Sequence, residues 1–267
     1  MVLLMPAYTS WLMDVTSLLV AVADRVTGPY TFLHSLRGTP GIWPLNFPVE
    51  QRNRFDTPDD FFKSGEPDDS TISLLREGAA VSSCFYEGQM SRDQTVFVDD
   101  DGTAYHIAAS EHNATLNIRE LDETYTAYTG KYIRIFPGRY HEAPAVFKRG
   151  GKYYLISSGC SGWAPNAARA AVADDLLGEW TELDNPCVGI NPANGLGPEK
   201  TFGGQSTFVL PVQGKKDAYF ALFDMWRPEN AIDGRYIWLP VEFNDDGFTV
   251  SWENEWDLSV FDAKENP

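Results

Sequence analysis

The sequence predicts an all-β fold of the β-propeller type, on two internal repeats and the lack of any long amphipathic helix pattern between them. The first repeat pairs Ala21-Val22-Ala23-Asp24, followed by Gly28-Pro29-Tyr30-Thr31-Phe32-Leu33, with Ala171-Val172-Ala173-Asp174, followed by Gly178-Glu179-Trp180-Thr181-Glu182-Leu183. The two copies lie 150 residues apart without a gap. Each reads as a short apolar strand, a polar turn ending in Gly, and an aromatic strand start.

The second repeat is a hairpin that occurs three times. Asp93-Gln94-Thr95-Val96-Phe97-Val98 leads through Asp100-Asp101-Gly102 into a strand from Thr103 to Ala109. Glu142-Ala143-Pro144-Ala145-Val146-Phe147 leads through Gly150-Gly151 into a strand from Lys152 to Ser158. Gln205-Ser206-Thr207-Phe208-Val209-Leu210 leads through Gln213-Gly214 into a strand from Asp217 to Phe223. The hairpins start 49 and then 63 residues apart, the spacing of propeller blades of about four short strands each. A β-sandwich would not explain the shared register.

Residues 35–89 break the period. They are rich in Pro, Gly, Asp and Arg, with Trp43, Phe47, Phe55, Phe61 and Phe62 scattered among them. We expect a long inter-blade insertion in a single β-propeller catalytic domain covering residues 1–267. Such loops often border active sites, although surface decoration is the alternative. The segment from Tyr236-Ile237-Trp238 through Trp256-Asp257-Leu258 reads as the outer strands of the last blade.

Composition narrows the partners. The 267 residues are 43% hydrophobic and 13% aromatic, with 16 Phe, 12 Tyr and 8 Trp, which suits a packed core and sugar-stacking surfaces. The net charge of −17 repels phosphate backbones and anionic lipid, so neither nucleic acid nor membrane is expected as a partner. Neutral carbohydrate is not opposed. Cys84, Cys160 and Cys187 have no metal-binding spacing and are too few for a disulfide scaffold. The apolar N-terminus lacks a basic stretch and is interrupted by Pro6, Asp14 and Asp24, so it is no signal peptide; cytoplasmic and secreted locations both stay open.

The repeats make a geometric claim about chemistry. First strands of successive blades line a central channel, so Asp93, Glu142 and Gln205, which hold the same place in three hairpins, are expected around one cavity. A polar residue at one strand start is most simply a cap. Three in register point instead to a site, and a carboxylic acid beside a second carboxylate suits proton donation to a leaving sugar oxygen. His141 either tunes Glu142 or faces the other way. Trp163 and Asn166 follow the second strand of the Glu142 hairpin, and Trp226 and Arg227 follow that of the Gln205 hairpin; the tryptophans are candidate sugar platforms. Asp99-Asp100-Asp101-Gly102 lacks the spacing of a calcium loop and reads as a turn. Four scattered histidines offer no metal site, and no nucleotide or hydrolase-elbow motif is present.

Three motifs together resemble glycoside hydrolase family 43. They are Ser91-Arg92-Asp93 with Asp99-Asp100-Asp101-Gly102, His141-Glu142-Ala143-Pro144-Ala145-Val146-Phe147-Lys148, and Gly203-Gly204-Gln205-Ser206-Thr207. The nearest branch is the exo-β-1,3-galactanases (galactan 1,3-β-galactosidases), and the resemblance runs over roughly residues 15–262. It implies a five-bladed β-propeller and an inverting exo-acting β-galactosidase that releases galactose from β-1,3-galactan or arabinogalactan. Glu142 matches the general acid, Asp93 the aspartate that orients the acid and modulates its pKa, and Gln205 the unusual base of this branch. Ser161-Gly162-Trp163 matches a pocket-lining segment. No cofactor is implied, and a structural calcium ion stays open.

The match starts midway through a second blade, near Trp11 to Val22. An N-terminally incomplete propeller is therefore expected, lacking the first blade and part of the second, with an open edge that a homo-oligomer would close. The alternative activities are those of a family 43 α-L-arabinofuranosidase or β-xylosidase. A non-catalytic, degenerate carbohydrate-binding propeller is the alternative from another class.

Overall fold

The structure is a computed structural model that describes residues 1–8, 16–52, 69–77, 79–245 and 247–262. Part of the expected insertion, with Phe55, Phe61 and Phe62, lies outside the described residues, as does Trp11. Among the described residues strands dominate, and they form four sheets built almost wholly of antiparallel neighbours. The chain divides into two compact units, Met1–Glu142 and Ala143–Pro267.

The first unit begins with a three-stranded sheet of β1 (Val2–Tyr8), β2 (Thr16–Val22) and β3 (Thr31–Leu36), in that spatial order. Two helices follow, α1 (Asp69–Arg76) and α2 (Ser82–Tyr86). The second sheet is an up-and-down meander of β4 (Gln94–Val98), β5 (Ala104–Ser110), β6 (Thr115–Leu121) and β7 (Tyr128–Ile135). The Asp99–Gly102 run is a hairpin turn, as its composition suggests. Its carboxylates bind backbone N–H groups of the turn itself, Asp99 that of Asp100 and Asp101 that of Thr103.

Residues on both faces of β5 and β6 are buried, the polar His106, Asn117 and Arg119 among them. The edge strand β7 is covered by part of the insertion. Leu45 N–H donates to Tyr132 C=O at 2.8 Å, and Asn46 exchanges two hydrogen bonds with the Arg134 backbone at 2.6 and 3.1 Å. An otherwise open edge is thereby capped. Leu75 of α1, Val81, Cys84 of α2, Met90 and Ala114 form a small satellite core.

The second unit holds a four-stranded meander and a five-stranded sheet. The meander is β8 (His141–Arg149), β9 (Lys152–Gly159), β10 (Arg169–Ala173) and β11 (Trp180–Leu183); β8 begins in the last two residues of the first unit. The five-stranded sheet runs in the order β12 (Cys187–Val188), β16 (Gly247–Ser251), β15 (Arg235–Asn244), β14 (Tyr219–Met225), β13 (Gln205–Pro211).

These last strands differ in two ways from the sequence reading. The outer strands end by Ser251, and the residues around Leu258 form a short 3-10 turn at Leu258–Phe261. The outermost strand is β12, which pairs parallel with β16 through Cys187 and Val188. Phe147, Tyr154, Phe223, Phe248 and Val250 belong to one buried cluster shared by the two sheets of this unit. Phe147 stacks on Tyr154 at 5.4 Å and meets Phe248 edge-on at 5.3 Å. The 150-residue repeat also has a structural meaning: Ala21-Val22 lies in β2 and Ala171-Val172 in β10, each antiparallel to the following strand. None of the three cysteines is in a disulfide.

Candidate active site

Each of the three register residues stands at the start of the first strand of a meander. Asp93 immediately precedes β4, and its C=O accepts from Ala109 N–H at 2.9 Å, so it is already part of the ladder. Glu142 is the second residue of β8, and Gln205 the first of β13. All three are half-buried, as a residue must be if it is to be held firmly and still meet a ligand.

The lead into Asp93 is pinned by a buried polar network. Ser110 Oγ donates to Gln89 Oε1 at 2.7 Å and accepts from Met90 N–H at 2.8 Å. The Arg119 guanidinium, fully buried, donates to Ser91 Oγ at 3.0 Å, to Tyr128 Oη at 3.4 Å and to the Met90 carbonyl. Tyr128 in turn lies 2.9 Å from Nδ1 of His106, whose Nε2 faces Gln94 Oε1 at 2.8 Å. The Gln94 oxygen can only accept, so Nε2 carries the hydrogen and Nδ1 accepts from the tyrosine. Burial, and then the Arg119 charge, push His106 well below its usual pKa, so the ring stays neutral.

Glu142 sits between two residues in the left-handed region, Tyr140 at φ 54° and Ala143 at φ 50°. An alanine there is strained by roughly 1–2 kcal/mol, which must be offset by its surroundings. The Asn113 amide donates to Glu142 Oε1 at 2.5 Å. His141 is buried and stacked on Phe136 at 4.6 Å, which settles it as a packing residue facing away from its neighbour.

In the second unit, Gln205 Nε2 donates to Ser158 Oγ of β9 at 2.8 Å. The loop before it requires the two glycines. A Cβ on Gly203 (φ +93°) would lie 2.6 Å from Asn194 Nδ2, and one on Gly204 would lie 3.0 Å from Phe223 Cβ. Asn191 and Asn194 both donate to the Phe202 carbonyl, at 3.1 and 2.9 Å, and Thr201 Oγ1 donates to Asn166 C=O at 2.6 Å. Across the ladder, Gln205 pairs with Asp224 of β14, so the two side chains share one face of the sheet. Asp224 escaped the sequence reading because its strand position follows only from the register.

Asn166 closes the loop that carries Trp163. Its Oδ1 accepts from Gly159 N–H at 2.7 Å, while Nδ2 donates to Gly159 C=O at 2.8 Å and to Ser161 Oγ at 2.6 Å. Ser161 Oγ then donates to Ala164 C=O at 2.6 Å. The polar atoms of Ser161 and Asn166 thus hold the loop together. Trp163 is 71% exposed and Trp226 45% exposed, yet their rings stack at 5.2 Å and 24°. Two large aromatic rings are thus kept largely in water and packed on each other. Arg227, next in sequence, is exposed. Among the described residues no group of three His, Cys, Asp or Glu side chains could hold a metal ion.

Repeated antiparallel β-meanders, each opening on a half-buried polar residue, place the chain in the β-propeller class. Residues 79–248 match the model of glycosyl hydrolases family 43, and the chain belongs to that family. It is a glycosidase of the all-β propeller type, whose chemistry needs no cofactor. The chain is similar to a family 43 β-1,3-galactosidase, BT3683, solved with galactodeoxynojirimycin. Identity is 48% over 91% of this chain and 68% of that one, with a TM-score of 0.81. A second family 43 β-1,3-galactosidase, BT0265, is 30% identical over 92% of this chain and 41% of its own, at a TM-score of 0.68. An exo-β-1,3-galactanase from Clostridium thermocellum is 28% identical over 94% of this chain and 45% of its own, at 0.69. The chain therefore spans about two thirds of the first and under half of the other two. No curated protein matches the sequence.

Proposed function

We propose that this protein is an inverting, exo-acting β-galactosidase that releases galactose from β-1,3-galactan or arabinogalactan chains. The observation that carries the reading is the shared placement of Asp93, Glu142 and Gln205 at the starts of three first strands. Similarity to two β-1,3-galactosidases and an exo-β-1,3-galactanase supports the choice of sugar and linkage.

Glu142 gives its proton to the glycosidic oxygen as the bond to the anomeric carbon breaks. Water attacks that carbon from the opposite face, guided by Gln205, and the anomeric configuration inverts. Such a reaction needs the two groups roughly 6.5–9.5 Å apart, leaving room for the water. Asp93 orients the acid and keeps it protonated by like-charge repulsion. An amide is a weak base, so Gln205 works by placing the water, with its Nε2 engaged by Ser158 and Oε1 left to accept. Trp163 and Trp226 stack on sugar rings, Arg227 contacts their hydroxyls, and Ser161 and Asn166 act through the loop they close.

The test is incubation with β-1,3-galactobiose, followed by proton NMR of the first product. Early appearance of α-galactose supports the reading. Early β-galactose contradicts inversion, and cleavage of only aryl arabinofuranosides or xylosides contradicts the substrate. The second reading, a binding module without turnover, is favoured by the exposed tryptophan pair. It predicts galactan affinity with no product.

A further inference from the structure

The β5–β6 turn carries three consecutive non-glycine residues in the left-handed region, Glu111 at φ 50°, His112 at φ 57° and Asn113 at φ 69°. Single residues visit this region at a cost, and three in a row persist only where the surroundings hold them. Glu111 is the anchor. Its side chain is 1% exposed and accepts from Arg134 at 2.7 Å and from Thr115 Oγ1 at 2.9 Å. Arg134 is itself buried and also donates to the Ala79 carbonyl at 2.9 Å, fixing the turn against the insertion.

The end of this turn is Asn113. Its Nδ2 reaches Glu142 Oε1 at 2.5 Å, while its Oδ1 is buried without a hydrogen-bond partner. A strained turn anchored by a buried ion pair is a large investment for one amide. A protonated carboxyl has one oxygen that only accepts and one that carries the hydrogen. An amide N–H is met better by the first, the carbonyl oxygen, than by the hydroxyl, which is the weaker acceptor.

We propose that Asn113 is a positioning residue for the acid: its amide holds Glu142 Oε1 as the acceptor, so that the transferable proton sits on Oε2. This rests on the reading of Glu142 as proton donor. Loss of the amide removes the donor that marks Oε1 as the acceptor, and the carboxyl can then carry the proton on either oxygen. Donation to the leaving oxygen becomes rarer while sugar binding persists.

The experiment uses the full chain with Asn113→Gly, Asn113→Asp and Glu142→Gln. Glycine tolerates the left-handed backbone and removes the amide; aspartate keeps the shape but replaces the donor with an acceptor. Each is assayed on β-1,3-galactobiose, which needs a proton donor, and on 2,4-dinitrophenyl β-galactoside, whose leaving group does not. We expect Asn113→Gly to lower kcat on the disaccharide roughly 10- to 100-fold, a part of what general acid catalysis contributes, with KM changed less than about twofold. The aryl substrate should lose under about threefold, and Asn113→Asp should lose at least as much as glycine on the disaccharide. Equal losses on both substrates, or none, with Glu142→Gln inactive on the disaccharide, would overturn the positioning role and leave the acid assignment standing. Retained disaccharide cleavage by Glu142→Gln would overturn both.

Discussion

The two units hold their candidate residues by opposite means. In the first, the surroundings of Asp93 and Glu142 are built from buried charged and polar groups: the Glu111–Arg134 pair, the Arg119 guanidinium and a neutral His106. In the second, Gln205 is carried by a sheet whose inner face is an aromatic and aliphatic core, and by a loop whose glycines let the Asn194 and Phe223 side chains pack close against its backbone. Apolar packing tolerates small errors gradually. A buried charge network fails when one member is removed, because its partner is left desolvated and uncompensated. Rigidity next to the proposed acid therefore depends on a few specific residues, while rigidity next to Gln205 is spread over many.

Substitutions can break this contrast. The largest effect is expected for Arg134→Met, which strands the Glu111 carboxylate at 1% exposure. Chemical denaturation should show a loss of about 3–5 kcal/mol. Adding Glu111→Gln to it should restore part of that stability, a recovery that pure packing loss would not give. In the second unit, Phe147→Ala should cost about 3–5 kcal/mol by opening a cavity among Tyr154, Tyr219 and Phe248. No second substitution of a single partner should rescue it.

Gly204→Ala is a smaller change with a sharper readout. The new methyl must displace Phe223 or the strand start, at about 1–3 kcal/mol. Because Gln205 follows directly, activity should fall by more than stability alone accounts for at assay temperature.

The charged region also gives the first unit a pH dependence. His106 is held neutral in the folded chain, while the unfolded chain takes up a proton near its ordinary pKa of 6.5. Stability from this group is complete above that pH and declines as pH falls below it, so denaturation midpoints should drop between neutral and mildly acidic pH. A His106→Gln variant should be less stable at neutral pH and lose that part of the slope. The smallest effect on stability is expected for Trp163→Ala, within about 0.5 kcal/mol because the ring is mostly in water. It should instead raise KM on galactan oligosaccharides, seen in initial-rate measurements.

The sequence made the repeated hairpins legible because their turns are local. Asp100-Asp101-Gly102, Gly150-Gly151 and Gly214 announce reversals, and the residue at the start of each first strand can then be counted back. Asp93, Glu142 and Gln205 were found this way. Asn113 was not, since nothing local marks Glu111-His112-Asn113 as a left-handed turn. Its conformation is imposed by Arg134, far along the chain and across the sheet. Asp224 and the parallel strand at Cys187-Val188 were hidden for the same reason, because both depend on a partner strand rather than on neighbours. Asp217 read as a strand start but takes φ 52° in the turn, which delays β14 to Tyr219.

In the proposed reaction Glu142 supplies the proton for glycosidic cleavage. The direct measurement is kcat/KM of Glu142→Gln on β-1,3-galactobiose, alongside its thermal melting curve. The variant should lose about 10²-fold or more, with an unchanged melting temperature. Disaccharide cleavage within a few-fold of the parent protein would contradict that role.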